Sequence, residues 1–209
     1  MTNAPTLTVS PLTPERFADV ASLFEEGGDP KWCCCAYFRI RGFAFSGQGK
    51  ARHRAVLETA AGDGVALGRA PGLVAYDGGA PVGWMSIGPR EDYERLAHSR
   101  VMAPVDDRPV WSIVCFVVSR RARGRGVARF LLAAGIEYAR DHGATALEAY
   151  PVEIPEGERI PSAEVYRGTL AMFERAGFVV AARRQWNDAT PVRPIVRLDL
   201  VGHEGRSSG

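Results

Sequence analysis

The chain has 209 residues, with 26 basic and 24 acidic side chains for a formal net charge of +2, and 46% of its residues are hydrophobic. That length leaves room for one domain with a substantial core, and a charge so near zero supplies no global field to recruit nucleic acid or an anionic membrane. No apolar run approaches the ~20 residues of a membrane span and the first ten residues lack the pattern of a signal peptide, so a cytoplasmic location is expected.

In chain order, residues 7–9 can form a first strand. Thr13 and Pro14 then open a helix through about Glu26, Thr13 as a side-chain acceptor for the cap and Pro14 for its pre-set φ. Gly27-Gly28-Asp29-Pro30 ends it. From Trp32 to Phe45 the chain is aromatic and cysteine-rich without a clean period, and residues 48–61 read as a second helix. Cys33, Cys34 and Cys35 are consecutive and Cys115 lies far downstream, which is no framework of spaced pairs for a secreted fold, so reduced thiols are expected. His53, His98, His142 and His203 are scattered singly, and no metal is expected.

From Pro71 the pattern sharpens. Residues 73–76 and 81–87 flank Asp77-Gly78-Gly79 and read as a hairpin, with the Asp-Gly pair supplying the positive-φ turn. Pro89 ends the second strand, residues 90–99 carry a short helical pattern, and residues 104–109 form a polar loop. Residues 110–118, VWSIVCFVV, are almost unbroken apolar, the composition of a central strand buried on both faces. After SRRARGRG, the residues Val127, Phe130, Leu131, Ala134 and Tyr138 recur at helical spacing until His142-Gly143. A strand at 146–152, a loop at 153–161, a helix at 164–178 capped by Ser162, and an antiparallel pair at 178–182 and 195–200 complete the chain, with a tail from Gly202. No period of about 20–50 residues recurs, so a repeat architecture is excluded.

Strand, glycine-rich turn and helix together make an anion site. Gly124 and Gly126 lack a Cβ, so backbone amides can approach a ligand closely, and a helix start favours phosphate or pyrophosphate. Arg120, Arg121, Arg123 and Arg125 add positive field, although a chain with only two lysines, Lys31 and Lys50, is rich in arginine everywhere. The spacing fits neither a P-loop, since no Lys follows, nor G-x-G-x-x-G, since Arg129 stands where the third glycine belongs.

Arg123-Gly124-Arg125-Gly126-Val127-Ala128 resembles motif A of the GNAT acyltransferases, [QR]-x-x-G-x-[GA]. Residues 164–178, EVYRGTLAMFERAGF, are similar to that family's later helix, whose Gly-Phe end starts the next strand. The resemblance covers roughly residues 70–200. It implies an α/β GNAT fold, a mixed central sheet of six or seven strands splayed after the fourth, with flanking helices. Residues 1–201 would be one domain, with 1–70 as acceptor-side helices and 71–201 as the acetyl-CoA-binding core, and 202–209 a flexible tail. The implied activity is transfer of the acetyl group of acetyl-CoA, without a metal, to an amine of a small molecule or peptide, by a monomer or homodimer.

The resemblance also implies site residues. Phe116, Val117 and Val118 would pair with the pantetheine arm, and the amides around Val117 and Val118 would be oxyanion donors. Arg123, Gly124, Arg125, Gly126, Val127 and Ala128 would hold the pyrophosphate. Trp32, Tyr37 and Phe38 fall among the acceptor-side helices and either line the acceptor pocket or pack as core. Two features depart from the family. Residues 110–118 contain no carboxylate to act as base, which leaves Glu148 and Glu94 as candidates, with ordinary ion pairing as the other reading. Tyr166 and Phe173 stand where relatives carry Asn and an acid Tyr, which leaves Tyr166 as a candidate acid or a core tyrosine. The missing groups favour one alternative, a catalytically degenerate CoA-binding scaffold acting as sensor or interaction module. RNA binding by the RGRG turn is disfavoured, because no broad basic surface or run of RGG repeats accompanies it.

Overall fold

The computed structural model describes residues 6–154 and 165–200. β1 (Leu7–Pro11) leads through a 3-10 turn at Pro14–Arg16 into α1 (Phe17–Glu25). Thr13 is extended at this entry as a cap residue should be, but its hydroxyl caps no amide and accepts from the Arg16 guanidinium instead (3.5 Å). Two short helices follow, α2 (Pro30–Cys33) and α3 (Gly42–Ser46). The next, α4 (Lys50–Leu67), runs past the expected end at 61 and stops at Gly68, whose φ of +64° a side chain would resist.

β2 (Gly72–Asp77) and β3 (Ala80–Pro89) form the expected hairpin. Its positive φ values fall on Gly78 and Gly79, not on Asp77, which stays in the strand paired with Ala80. Then come α5 (Glu94–Ala97), β4 (Trp111–Val118), α6 (Val127–Asp141), β5 (Ala146–Ala149), α7 (Leu170–Glu174), β6 (Val179–Arg184) and β7 (Arg193–Asp199). The late helix is shorter than the pattern at 164–178 suggested. Gly168 turns the chain at φ +77°, and the Thr169 hydroxyl caps α7 by accepting from the Met172 amide (3.3 Å), so Tyr166 lies in a turn before the helix. The expected cap at Ser162 lies outside the described residues.

The strands form one mixed sheet in the order β1-β2-β3-β4-β5-β7-β6, in which only the β4–β5 pairing is parallel. Each face carries its own core. On one, α6 lays Leu131 and Ile136 against Met85, Ile113 and Phe116; on the other, α1 and α4 cover Val74, Trp84, Val114 and Val117 with Val20, Leu23 and Leu57. Gly135 permits the close approach of α6, since a Cβ there would meet the Met85 methyl at 2.2 Å. Among the described residues no helix is long and apolar enough to cross a membrane.

The middle of β4 positions everything that follows. Ser86 of β3 pairs with Cys115 and Ile87 pairs with Ile113, which leaves Val114 as an extra residue in β4, a β-bulge. The bulge breaks side-chain alternation, so Val114 and Cys115 both face the α1 side while Phe116 returns to the α6 side. Pairing with β5 also stops here, the last partners being Ile113 and Ala149. Beyond the bulge β4 and β5 splay apart.

Candidate active site

Two hollows lie along the splayed half of β4. The smaller, about 290 Å³, is lined by Val118, Ala122, Arg123, Gly124, Gly126, Val127, Ala128 and Arg129. Gly124 (φ +74°) and Gly126 (φ +83°) hold the turn in a conformation few side chains allow. Gly126 is the cap of α6, and the first intrahelical bond runs from the Phe130 amide to its carbonyl (3.0 Å). The amides of Val127, Ala128 and Arg129 are therefore the orphan donors of the helix start, backed by its dipole. Arg125 does not line the hollow. Its guanidinium is drawn off to Asp77 of β2 (2.8 Å), so only its backbone contributes to the turn.

The larger hollow, about 730 Å³, opens at the bulge between α2, the 101–102 loop and the 166–167 turn. Its wall includes Trp32, Tyr37 and Phe38, of which Phe38 also packs in the core whereas Trp32 and Tyr37 are exposed, with Phe45, Val101, Met102, Val114 and Cys115. The aromatic wall is held in place. Arg95 lies 3.8 Å from the Tyr37 ring centroid, and His53 stacks on Phe45 at 4.1 Å. Both ring nitrogens of His53 face carbonyl oxygens, Nδ1 that of Trp32 (2.8 Å) and Nε2 that of Phe45 (3.1 Å), so this imidazole is committed to structure.

Cys33, Cys35 and Cys115 also line the cavity. Cys34 and Cys35 have left-handed backbones, φ +44° and +52°, and Cys35 Sγ accepts from the Trp84 indole (3.0 Å). Burial pushes the Cys33 and Cys35 thiols up, assisted by neighbouring thiols, so they remain protonated and are poor nucleophiles. Among the described residues no group of His, Cys, Asp and Glu is arranged to hold a metal ion.

The open edge of β4 carries the backbone donors. The Phe116 amide donates to the Tyr166 carbonyl across the splay (2.5 Å), whereas the Ser119 amide donates to Val82 of β3 (2.9 Å). Alternation therefore sends the Val118 amide to the open edge with that of Phe116, and the Val117 amide toward β3. Of the two amides expected as oxyanion donors, Val118 faces the cleft and Val117 does not. The Tyr166 phenol reaches the cavity, where burial and the nearby Asp29 carboxylate raise its pKa. Among the described residues its oxygen has no hydrogen-bond partner.

The two glutamates expected as bases stand elsewhere. Glu94 is exposed at the start of α5 and lines no part of the cavity. Glu148 is 1% exposed, with Oε1 bound by Arg197 (2.7 Å) and Oε2 by Arg90 (3.3 Å) and the Tyr150 hydroxyl (3.4 Å). Both oxygens are occupied, and the network leads outward to a loop: Arg90 also donates to the Met102 carbonyl, and Arg197 pairs with Asp106 (2.6 Å). Phe173 is fully buried on the α6 side against Phe116 and Phe178, away from the cavity.

Several wall groups escaped the sequence pattern, Asp29, Arg193 and Val114 among them. Asp29 belonged to a stretch legible only as a helix stop, yet it is the one carboxylate on the cavity wall among the described residues, close enough to raise the Tyr166 pKa. Arg193 sat in an expected loop, and Val114 enters the wall only through the bulge. Chemically, the arrangement offers an anion cradle, an open strand edge, and a cavity whose wall holds the Asp29 carboxylate, the Tyr37 and Tyr166 side chains, and Arg167 and Arg193.

Comparison with known proteins agrees with this geometry. The Acetyltransferase (GNAT) family profile matches residues 51–178. No protein of curated function matches the chain in sequence. Among solved structures, a GNAT-family protein of Desulfovibrio desulfuricans aligns with TM-score 0.55 and 17% identity, over 94% of this chain and 100% of its own. The yncA protein of Salmonella typhimurium, solved with its cofactor acetyl-CoA, aligns at 0.54 and 19%, over 97% and 98%. A Corynebacterium glutamicum protein described as histone acetyltransferase HPA2 and related acetyltransferase aligns at 0.54 and 22%, over 91% and 94%. At these identities the likeness speaks for the fold, while the profile covers well over half of the sequence. The chain belongs to the GNAT acetyltransferase family.

Proposed function

We propose that the protein transfers the acetyl group of acetyl-CoA to an amine nitrogen of a small molecule or peptide. One observation carries this reading: the glycine-turn hollow and the bulge cavity lie on the same splayed stretch of β4, separated by the three residue steps from Cys115 to Val118, about 10 Å of strand at ~3.3 Å per residue. The residues at the turn fit a pyrophosphate, because the glycine backbones and the orphan amides of α6 converge on a hollow that their missing side chains leave open. When bound, acetyl-CoA supplies an acetyl group activated as a thioester.

This chain's residues then have distinct tasks. Gly124, Gly126, Val127 and Ala128 hold the pyrophosphate through their amides, with Arg123 beside them. The Val118 amide offers a strand-like hydrogen bond to the pantetheine arm, and donors on this open edge suit a developing oxyanion. Asp29 accepts the proton of the incoming ammonium, directly or through water, because only a neutral amine attacks. Tyr166 donates to the departing sulfur, and its raised pKa keeps that proton in place. The reduced thiols are in keeping with a cytoplasmic setting.

The test is release of free thiol from acetyl-CoA over a panel of small amines and peptides, beside calorimetric binding of CoA. Turnover supports the transferase reading. Tight CoA binding without thiol release on any amine leaves the degenerate scaffold, which the absence of a carboxylate from β4 favours.

A further inference from the structure

Charge on the cavity wall is divided between its two sides. Asp29 stands at the start of α2, which packs beside α1 over β3 and β4. Arg193 stands at the start of β7, across the splay and beyond β5. It is half-buried, and among the described residues no carboxylate pairs with it. Its neighbours are spent. Arg184, opposite it in register, donates to the carbonyls of Ala103 and Pro104, and Arg197 serves Glu148 and Asp106. Arg167 of the 166–167 turn also lines this wall, engaged in an interaction of its own, and Phe38, Phe45, Met102 and Val114 supply apolar surface.

Building on the acetyl-transfer reading, we infer that the acceptor is a small zwitterionic amine, with its nitrogen toward Asp29 and β4, an apolar body against the aromatic wall, and an anionic group on Arg193. A guanidinium keeps its charge in any such setting and presents a planar fork matched to carboxylate or phosphoryl oxygens. An anionic acceptor gains charge-assisted, bidentate hydrogen bonds there. A neutral one covers the guanidinium and leaves it without a partner, a loss of roughly 10- to 100-fold for a hydrogen bond to a charged group. The cavity volume of about 730 Å³ suits a small molecule held on most sides.

The experiment compares L-phenylalanine, L-phenylalaninamide, 2-phenylethylamine and 1-amino-2-phenylethylphosphonate as acceptors, by thiol release, for wild type, Arg193→Gln and Arg193→Lys. Binding of N-acetyl-L-phenylalanine and N-acetyl-2-phenylethylamine is measured alongside by calorimetry, so that the anion subsite is read without turnover. The expected result is a preference of about tenfold or more for the anionic member of each pair, expressed mainly in KM, that Arg193→Gln removes and Arg193→Lys partly retains. A stronger preference for the phosphonate assigns the subsite to phosphoryl oxygens, and for the amino acid to carboxylate. Equal use or equal binding of charged and neutral members, or no binding of either, overturns the inference. The acetyl-transfer reading fails separately, if CoA neither binds nor shifts the melting temperature of the folded protein.

Discussion

The phenol oxygen of Tyr166 occupies the space that a side chain on Gly28 would fill: a Cβ built at Gly28 lies 2.5 Å from it. Gly28 has φ +74° as well, so the turn excludes a side chain on two grounds. Tyr166→Phe is expected to lower kcat by roughly 10²-fold with acetyl-CoA affinity unchanged, the signature of a proton donated only in the transition state. Gly28→Ala displaces the phenol and strains the backbone by about 1–2 kcal/mol. Its kinetic loss should vanish in the Tyr166→Phe background, because both changes remove one function. Steady-state kinetics of the two single variants and the double variant checks this. Fully additive losses would assign both residues to packing.

The pH profile tests Asp29 and Tyr166 together. Asp29→Asn removes the proton acceptor on the wall, so kcat/KM should fall at neutral pH and recover as the amine loses its proton unaided. Burial and Asp29 raise the pKa of Tyr166, so its proton is present below that raised value and is lost only as pH climbs through it. The alkaline limb of the wild-type profile should therefore lie above the ordinary tyrosine value of about 10, and Tyr166→Phe should abolish that limb. A pH-independent loss in Asp29→Asn would rule out a base at this position.

Glu148 should behave as a structural hub. Glu148→Gln leaves two largely buried guanidiniums short of a charge, a cost of about 3 kcal/mol. For a chain of this size that corresponds to a fall in Tm of roughly 6–12 °C. The pH profile of whatever activity remains should keep its shape, whereas a catalytic base would distort it. Glu94→Gln, on an exposed face, should change stability by less than about 0.5 kcal/mol and leave turnover alone.

Gly126→Asp places a side chain and a negative charge where amides converge. Wild type should gain about 2.7 kcal/mol of stability at a hundredfold excess of CoA over Kd, seen as a thermal shift that the variant lacks. Arg123→Ala should lose less, since backbone donors dominate the site. An unchanged shift in Gly126→Asp would place the phosphates elsewhere.

Phe173→Tyr probes the position where the family's phenol was expected. The ring is fully buried among Phe116 and Phe178, so a hydroxyl added there lacks a partner and should cost about 1–3 kcal/mol without raising turnover. Chemical denaturation with parallel kinetics measures both. A gain in rate would mean that the ring can turn into the cleft.

The local sequence determined the elements whose cause is local. Residues 110–118 are apolar on both faces and become β4, and a 3.6-residue period from Val127 becomes α6. Gly124 and Gly126 mark the positive-φ turn between them because no other residue adopts it so cheaply. The late helix shows the limit. Gly168 and the Thr169 cap shorten it to Leu170–Glu174, a choice that tertiary docking makes within a pattern equally compatible with a longer helix.

Tertiary structure alone decided what faces the cavity. The bulge at Val114 follows from the mismatched registers of β3 and β4, and nothing in VWSIVCFVV marks which residue is extra. Glu148 and Asp29 are both carboxylates in unremarkable contexts. One is enclosed by arginines from two distant segments, and the other is left on an open wall by the packing of α2. Charge pairing and burial depend on residues far apart in the chain, so an acid's role is set by neighbours that periodicity and spacing cannot name.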